Sequence, residues 1–497
     1  MIKGHNMTES AVADLDKTAA LADFLCGLSA EGIPASLLDR ATDLLLDHIA
    51  VSIQGAHLPW SRIAAEYAAQ CSSPGRQAVV YGYDRAPVAL AALANGTIAH
   101  GIELDDTHDP SCTHPGAVVF SAALAVAQTT GASGRQLLLA AIAGYEAMGR
   151  AGAALDPQLM ARGFHPTALC GLFGSSAAAA MLLGASSQTL QSAWGIGLSM
   201  VSGSMQFTED AKGTMVKRMH AGWPAHNGIV AVQLALQGFE GPRQALDGRR
   251  GFAHMYSPCP QTDALIEKLG SSWVVENMSI KRYACCRLFH ALIDAIRQTQ
   301  ETHKWKPEQL AHIEAFGPNI MSAGHMEYRP ESVMSAQYSL PYSVAVAMAG
   351  DPSDPQYFSA DRMGDPALLG IADLVTAVVD PGLEKYFPAK FPGGVRLGLK
   401  NGETITHHLL DSMGTPQTPM TSLDIEEKFK SLTSKHFNAA AQEQLISMVK
   451  NIRHEADIDR LAGALTGRGW NDLALADKSA CWSSNAASIE RGSYEHE

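Results

Sequence analysis

From Gly163 to Thr208 the chain carries no Asp, Glu, Lys or Arg, and this charge-free stretch limits the folds open to it. Its sequence "CGLFGSSAAAAMLLGASSQTLQSAWGIGLSMVSGS" is rich in Gly, Ala and Ser, and the polar run Ser186–Gln188 interrupts it. A membrane-spanning helix needs about 20 strongly apolar residues, and neither half sustains that. The stretch therefore predicts two helices buried on all sides at the centre of a large helical domain.

The sequence before and after this stretch divides into a helical part and a mixed part. In "PASLLDRATDLLLDHIAVSIQG" the apolar residues from Leu37 to Ile49 share one face, and helical patterns persist to about Ser257. Short β-like runs follow in "SSWVVENMSIKRY" and "LAHIEAFG". The segment "GVRLGLKNGETITHHLL" reads as a hairpin whose turn is Asn401–Gly402.

Helices return near the end, in "TSLDIEEKFKSLTSKHF" and "AAAQEQLISMVKNIRH", and could pack back on the first helices. We therefore expect a mainly α chain with a smaller α+β domain. The predicted divisions are a flexible N-terminus (1–14), a helical domain (15–271 and 413–465), an α+β domain (272–412) and a polar C-terminal tail (466–497).

Charge and cysteine usage restrict the partners and the compartment. The 497 residues carry a net charge of −13 without a basic run, which argues against nucleic acid and anionic membranes as partners. An anionic substrate must therefore be held by a few local Lys, Arg or His side chains. The eight cysteines form no CxxC pair, so we expect a reduced, cytoplasmic protein.

The segment "GIELDDTHDPSCTHPGAV" gathers four carboxylates and two histidines close together. No Lys or Arg lies between Asp106 and Arg135, so these acids cannot all form local salt bridges. Three interpretations remain open. The segment could be a solvated loop with helix-capping aspartates, a metal site, or an acid/base site in which a carboxylate orients His114.

Three further clusters have a functional and a structural interpretation. His165 precedes Pro166 at the start of the charge-free stretch, where a helix N-terminus favours an anion, although an isolated histidine at such a position is more often a capping or packing residue. The segment "EDAKGTMVKRMHAGWPAHNG" could grip a carboxylate through Lys217 and its basic neighbours, or be a solvated helix end. In "SIKRYACCRLFH" the two cysteines could be reactive or simply buried.

The order of these motifs resembles the MmgE/PrpD family, which includes 2-methylcitrate dehydratases, cis-aconitate decarboxylases and iminodisuccinate epimerases. The motifs are "ELDDTHDPSCTHPG", "GFHPTALCGLFGSSAAAA", "AWGIGLSMVSG", "GTMVKRMHAGWPAHNG" and "IKRYACCRLFHALIDA", and the resemblance runs from about residue 15 to 460. It implies a large all-helical domain formed by both chain ends, a smaller α+β lid domain and a homodimer. It also implies catalysis without metal or organic cofactor, in the cleft between the domains.

The resemblance also implies roles for individual residues. The expected catalytic residues are an acid/base histidine, the GxHP-motif histidine, a carboxylate-anchoring lysine and a lid tyrosine: His114, His165, Lys217 and Tyr328. The expected substrate-binding residues come from the acidic loop and the lid: Glu103, Asp105, Thr107, Lys281 and Cys286. At Cys286 this chain departs from the dehydratases and the animal-type decarboxylases, which carry a histidine close to that position.

The activity expected from the resemblance is a cofactor-independent lyase acting on a small di- or tricarboxylate, by decarboxylation or dehydration. An isomerase that removes and returns one proton is the alternative. Two further hypotheses are a metal-dependent hydrolase built on the loop acids and histidines, and a polycarboxylate sensor that binds without turnover.

Overall fold

The computed structural model describes residues 16–71, 75–155, 157–209, 214–468 and 470. The predicted flexible N-terminus, and the predicted tail apart from residues 466–468 and 470, lie outside the described residues. No helix in the described ranges is both long enough and apolar enough to cross a membrane.

The first half of the chain is built of helices with one two-stranded antiparallel pair between α3 and α4. Its elements are α1 (Lys17–Cys26), α2 (Ala35–Gly55), α3 (Pro59–Gln70), β1 (Gln77–Val79), β2 (Arg85–Pro87), α4 (Val88–Ala99), α5 (Pro115–Thr130), α6 (Gly134–Ala153), α7 (Pro166–Leu182), α8 (Ser187–Gly197), α9 (Val216–Leu236) and α10 (Phe252–Tyr256).

The charge-free stretch forms two helices, α7 and α8, as predicted, but only α7 is buried on all sides, because α8 leaves Gln188 exposed. Every residue of α7 from Pro166 to Ala180 is buried, because the helix packs against α5, α6, α8 and α9. Small residues allow close helix contacts nearby as well. A Cβ on Gly96 of α4 would lie 2.6 Å from the Cα of Gly222 in α9, so only glycine permits this approach.

A four-stranded sheet with short helices occupies the region after α10. Its elements are α11 (His290–His303), β3 (Leu310–Gly317), α12 (Asn319–Ser322), α13 (Val333–Gln337), α14 (Leu340–Ala349), α15 (Ala360–Met363), α16 (Pro366–Ala372), β4 (Val375–Val379), α17 (Pro381–Glu384), β5 (Gly393–Leu399) and β6 (Thr404–Leu409).

The sheet order is β4-β3-β5-β6, in which β3 pairs parallel with β4 and antiparallel with β5. The predicted hairpin is confirmed: β5 and β6 pair antiparallel, and Gly402 in their turn has φ 88°. Gly402 tolerates this left-handed conformation because it has no Cβ.

The β-like run at 271–283 was predicted wrongly. Val274–Asn277 is a single 3₁₀ turn, followed by an isolated bridge between Ser279 and Thr107. Side chains take the place of a neighbouring strand here. The Glu146 carboxylate accepts the Val274 N–H, and the Arg40 guanidinium donates to the Met278 carbonyl at 2.8 Å.

The last helices are α18 (Ser422–Thr433), α19 (Ala439–Lys450) and α20 (Asp459–Ala464). Helix α18 packs on α2, and its Lys428 ammonium lies 2.5 Å from Asp47 Oδ1 and donates to the Leu104 carbonyl at 2.9 Å. The chain is thus mainly α with some β structure, as predicted, while the domain boundaries stay a prediction.

Candidate active site

The acidic loop, which runs from the end of α4 to the start of α5, meets three segments that are distant from it in sequence. These are the first turn of α9, the segment 281–287 and the end of α13. The two His-Pro dipeptides place His114 and His165 at the N-caps of α5 and α7, where proline is well suited to the first helical position.

Glu103 is the centre of a buried ionic cluster with three cations, which we call the cation hub: Glu103, Lys217, Arg218 and Lys281. The Lys217 ammonium and Arg218 Nη1 both contact Glu103 Oε1, the latter at 2.6 Å, and Lys281 Nζ lies 3.2 Å from Oε2. None of the four is more than 1% exposed. Three cations against one carboxylate leave an excess of positive charge in the protein interior.

This charge balance governs the protonation of the hub. Burial alone would raise the pKa of Glu103, but Lys217, Lys281 and Arg218 hold it well below the ordinary value. Burial lowers the pKa of Lys217 to about 8, although Glu103 opposes that shift. Lys217 and Arg218 also lie in the first turn of α9, where the helix dipole disfavours cations. A second anion would relieve this arrangement.

The backbone of Glu103 is held in an unusual conformation by its neighbours. Its φ is 58°, which a non-glycine residue seldom adopts. Gln337 helps to fix it, because its Nε2 donates to the Ile102 and Ala284 carbonyls while its Oε1 accepts from Arg218 Nη2 at 2.8 Å. The Gln337 carbonyl accepts the Cys286 N–H at 2.8 Å. Gln337 therefore joins the acidic loop, α9 and the segment Tyr283–Cys286.

A cluster of imidazoles lies beside the hub. Asp105 Oδ2 is 2.7 Å from His100 Nδ1 and 3.3 Å from His114 Nδ1, and the two rings are 4.9 Å apart between centroids. Burial lowers the pKa of His100 to about 3, so that imidazole is neutral at physiological pH. Burial would raise the pKa of Asp105, but the two imidazoles keep it well below its usual range.

His165 connects this cluster to a fourth histidine. Its ring centroid is 6.0 Å from that of His100, and its Nδ1 lies 3.1 Å from His220 Nδ1, so one of these two nitrogens carries the shared proton. Burial, with His220 and Lys217 nearby, holds the pKa of His165 well below the ordinary value. The fold thus brings together six of the expected site residues: Glu103, Asp105, His114, His165, Lys217 and Lys281.

Two of the loop acids have structural partners instead. Asp106 accepts the Tyr145 hydroxyl at 2.6 Å and the Gly116 N–H at 2.8 Å, and burial raises its pKa to about 7. Asp109 accepts from Arg287 Nη2 at 2.8 Å. Glu103 and Asp109 therefore find their cations far along the chain, which local sequence could not reveal.

Thr107, Cys286 and Tyr328 occupy different surroundings. The Thr107 hydroxyl donates to Asp109 Oδ1 at 3.1 Å, and its backbone pairs with Ser279. Cys286 is buried beside Lys281 and Glu103, and burial raises the pKa of its thiol. The Tyr328 hydroxyl donates to the Val375 carbonyl at 2.9 Å, at the start of β4. Roles for these three residues in catalysis or binding stay predictions.

Sequence reasoning missed three residues of this site, His100, Gln337 and Tyr338, and it considered Arg218 only as a basic neighbour of Lys217. The Lys217 ammonium lies 5.1 Å from the centroid of the Tyr338 ring, and burial raises the pKa of that phenol well above its ordinary value. A signal existed for His100, which lies three residues before Glu103. Nothing local marks Gln337 or Tyr338.

His100, Asp105 and His114 offer one nitrogen or oxygen each within 4.8 Å of one another, a spacing that a metal ion could use. The contacts already made argue against that use. Both Nδ1 atoms face the same Asp105 oxygen, and the cation hub adjoins the group, so a divalent cation would meet uncompensated positive charge. The arrangement suits imidazoles oriented by a carboxylate.

Comparison with known proteins agrees with the motif order. Residues 19–264 match the MmgE/PrpD N-terminal domain, and residues 283–454 match the MmgE/PrpD C-terminal domain. A cis-aconitate decarboxylase from Aspergillus terreus is 28% identical over 471 residues, covering 89% of this chain and 94% of that protein.

Two other relatives show similar coverage. The cis-aconitate decarboxylase-like protein oryM from Aspergillus oryzae is 28% identical, covering 90% of this chain and 97% of its own length. The human cis-aconitate decarboxylase is 27% identical, covering 93% and 97%. Since the two domain models together match most of the residues, the chain belongs to the MmgE/PrpD family.

Proposed function

We propose that the protein is a cofactor-independent lyase that decarboxylates a small tricarboxylate such as cis-aconitate. The cation hub carries this proposal. Lys217, Arg218 and Lys281 surround a single carboxylate in the interior, and an unbalanced buried cation is costly. A substrate with two or more carboxylates would supply the missing negative charge.

The same cations would stabilise the reacting state. When CO₂ leaves, the bonding electron pair stays on the substrate carbon and spreads through the double bond to a remaining carboxylate. Cations placed beforehand in a water-poor site lower the energy of that anion more than they would in water. Lys217 and Lys281 are assigned this role, with Arg218 holding Glu103 in place.

A proton must then reach the carbanion. His114, whose Nδ1 faces both Asp105 Oδ2 and the Asp106 carbonyl at 3.1 Å, is the proposed donor. The carboxylate and the carbonyl fix the orientation of the ring, as a general acid requires. Each turnover consumes one proton, which His114 regains from solvent. Dehydration would use the same anion stabilisation together with an acid for the leaving hydroxyl, a role for His165 or Tyr328.

The relatives named above are decarboxylases or a decarboxylase-like protein, which favours decarboxylation over dehydration. An isomerase that removes and returns one proton, for example on iminodisuccinate, is the alternative. A metal-dependent hydrolase and a sensor are the remaining hypotheses. The NMR experiment described next distinguishes all of these activities.

Proton NMR in D₂O with chelator-treated protein is the test. We expect cis-aconitate to be converted to itaconate carrying one deuterium from solvent, while 2-methylcitrate and iminodisuccinate stay unchanged. Boiled protein is the control for uncatalysed reaction.

Other outcomes assign the other activities. Formation of 2-methylaconitate identifies a dehydratase, and deuterium exchange without loss of mass identifies an isomerase. Turnover that disappears with the chelator and returns with a divalent ion indicates the hydrolase class. Ligand-induced chemical-shift changes without turnover indicate a sensor. Any of these results contradicts the proposed decarboxylase.

We also propose a homodimer, with the sheet-bearing region as a lid over the site and a reducing compartment such as the cytoplasm. An apolar surface on α9 supports the dimer. From Met219 to Phe239 the chain has no charged side chain, yet Met219, Trp223 and Phe239 are 40–60% exposed. Exposed apolar patches mark interfaces. In a chain of net charge −13, a charge-free face is where a second copy meets least repulsion.

Changing Trp223 to Glu is expected to convert a dimer into a monomer, because each copy would place a carboxylate in the proposed apolar interface. Light scattering after size-exclusion chromatography measures this. The matched control is Leu423→Glu, at a 62% exposed position on α18, which is expected to stay dimeric. A monomeric wild type, or a dimeric Trp223→Glu variant, contradicts this interface.

A further inference from the structure

The His100 side chain has one nitrogen that the described structure leaves without a partner. Its ring is fully buried, and Nδ1 is 2.7 Å from Asp105 Oδ2. Nε2 is also buried and has no hydrogen-bond partner among the described residues. Buried polar atoms of this kind are rare in native proteins, and each calls for an explanation.

The contact with Asp105 decides what this nitrogen carries. A neutral imidazole has one N–H, and the ionised carboxylate at 2.7 Å requires that hydrogen on Nδ1. Nε2 is then an unprotonated lone pair, the arrangement of a histidine base oriented by an aspartate. Lowering of the His100 pKa by burial agrees with the neutral form.

The position of His100 fits a role in proton transfer. Its ring lies between those of His114, at 4.9 Å, and His165, at 6.0 Å, and the Lys217 charge is close enough to lower its pKa. The other oxygen of Asp105, Oδ1, is likewise buried without a partner among the described residues. Two orphaned polar atoms thus belong to the same residue pair beside the hub.

We infer that His100 is a second catalytic residue, whose Nε2 exchanges a proton with the substrate while Asp105 holds the ring. This inference rests on the proposed function, because the substrate that exchanges a proton with Nε2 is the polycarboxylate proposed there. The Asp105 carboxylate would then orient both His114 and His100. Nε2 acts as the base: it takes the proton of the substrate carboxyl group that leaves as CO₂, the electron pair of the broken C–C bond stays on the carbon, and His114 protonates that carbon. The proton on Nε2 then returns to solvent.

Two substitutions separate a catalytic role from a structural one. In His100→Asn the amide nitrogen takes the place of Nδ1 and keeps the bond to Asp105, but the Nε2 position is empty. In His100→Gln the amide reaches the Nε2 position and loses the bond to Asp105. If Nε2 transfers a proton, His100→Asn loses about 10²-fold or more in kcat with little change in KM.

A merely structural histidine gives the opposite order, with His100→Asn close to wild type and His100→Gln impaired. That order overturns the inference. Circular dichroism and thermal melting of both variants show whether they fold, and the NMR experiment below decides the matter if they do not.

¹⁵N NMR of the wild-type imidazoles needs no turnover, so it distinguishes failure of this inference from failure of the proposed function. The His100 signals are those missing from the spectrum of a folded His100→Asn or His100→Gln variant, or are assigned through selective labelling. We expect Nε2 to be unprotonated in the free protein and to shift when propane-1,2,3-tricarboxylate binds. A protonated Nε2, or an Nε2 signal unmoved by a ligand that saturates the site, overturns the inference.

Discussion

Replacing His114 with Asn is expected to lower kcat by about 10²- to 10⁴-fold, the usual range for a general acid or base. The variant should fold, because the amide nitrogen of Asn can replace Nδ1 toward Asp105 and the Asp106 carbonyl. KM should change little, since the carboxylate-binding cations are untouched. Initial rates of CO₂ release over a range of cis-aconitate concentrations measure both parameters.

The matched control is His312→Asn, at an exposed position on β3, which should retain full activity. A His114→Asn variant with more than about a tenth of the wild-type kcat contradicts the assignment of His114 as the proton donor. In that case the proton would have to come from His100 or His165.

Replacing Lys217 with Met is expected to reduce kcat/KM by about 10²- to 10³-fold, the effect of removing one preorganised charge-stabilising group. Glu103 keeps Arg218 and Lys281 as partners, so the substitution does not leave it unpaired. Burial already disfavours the Lys217 charge. Thermal stability should therefore be equal to or above that of wild type. The control is Lys430→Met, whose ammonium pairs with Glu443 at the surface.

The pKa of Lys217 predicts the alkaline limb of the pH profile. Below pH 8 the ammonium is charged and holds a carboxylate, and above pH 8 it loses its proton, so kcat/KM falls about tenfold per pH unit. Arginine stays charged throughout this range. Any activity that remains in Lys217→Arg should therefore lack this limb. A limb at the same pH in that variant would assign the titration to another group.

Stability should move in the opposite direction over the same pH range. The pKa of Lys217 is about 8 in the folded protein and near 10.5 in the unfolded chain. Between these values the unfolded chain binds the extra proton, so the contribution of Lys217 to the free energy of unfolding rises with pH. If kcat/KM falls with rising pH while this contribution to stability increases, the loss of activity is due to loss of the Lys217 charge and not to unfolding.

Local sequence was sufficient for much of the fold. The charge-free stretch gave α7 and α8, the apolar face from Leu37 to Ile49 gave α2, and Asn401–Gly402 gave the turn of the hairpin. These features depend on backbone geometry over a few residues, so periodicity and turn chemistry encode them directly. The run at 271–283 is not the predicted strand, because side chains of Arg40 and Glu146 form hydrogen bonds with its backbone in place of a neighbouring strand.

Motif order in the sequence also identified the family and pointed to the acidic loop, His165, Lys217 and Lys281 as parts of one site. Which groups meet there was decided by the tertiary structure. Glu103 is 114 residues from Lys217, 115 from Arg218 and 178 from Lys281, so only the packing of α4, α9 and the segment at 281 brings their charges together.

The same reason explains the residues that sequence reasoning missed. Gln337 acts through carbonyl groups of Ile102 and Ala284, and His100 matters because burial isolates its Nε2. Hydrogen-bond partners and desolvation exist only in the folded interior, so residue spacing along the chain cannot reveal them. The sequence by itself determined the helices, the hairpin and the chemical groups available; the tertiary structure decided which of them share charge and protons.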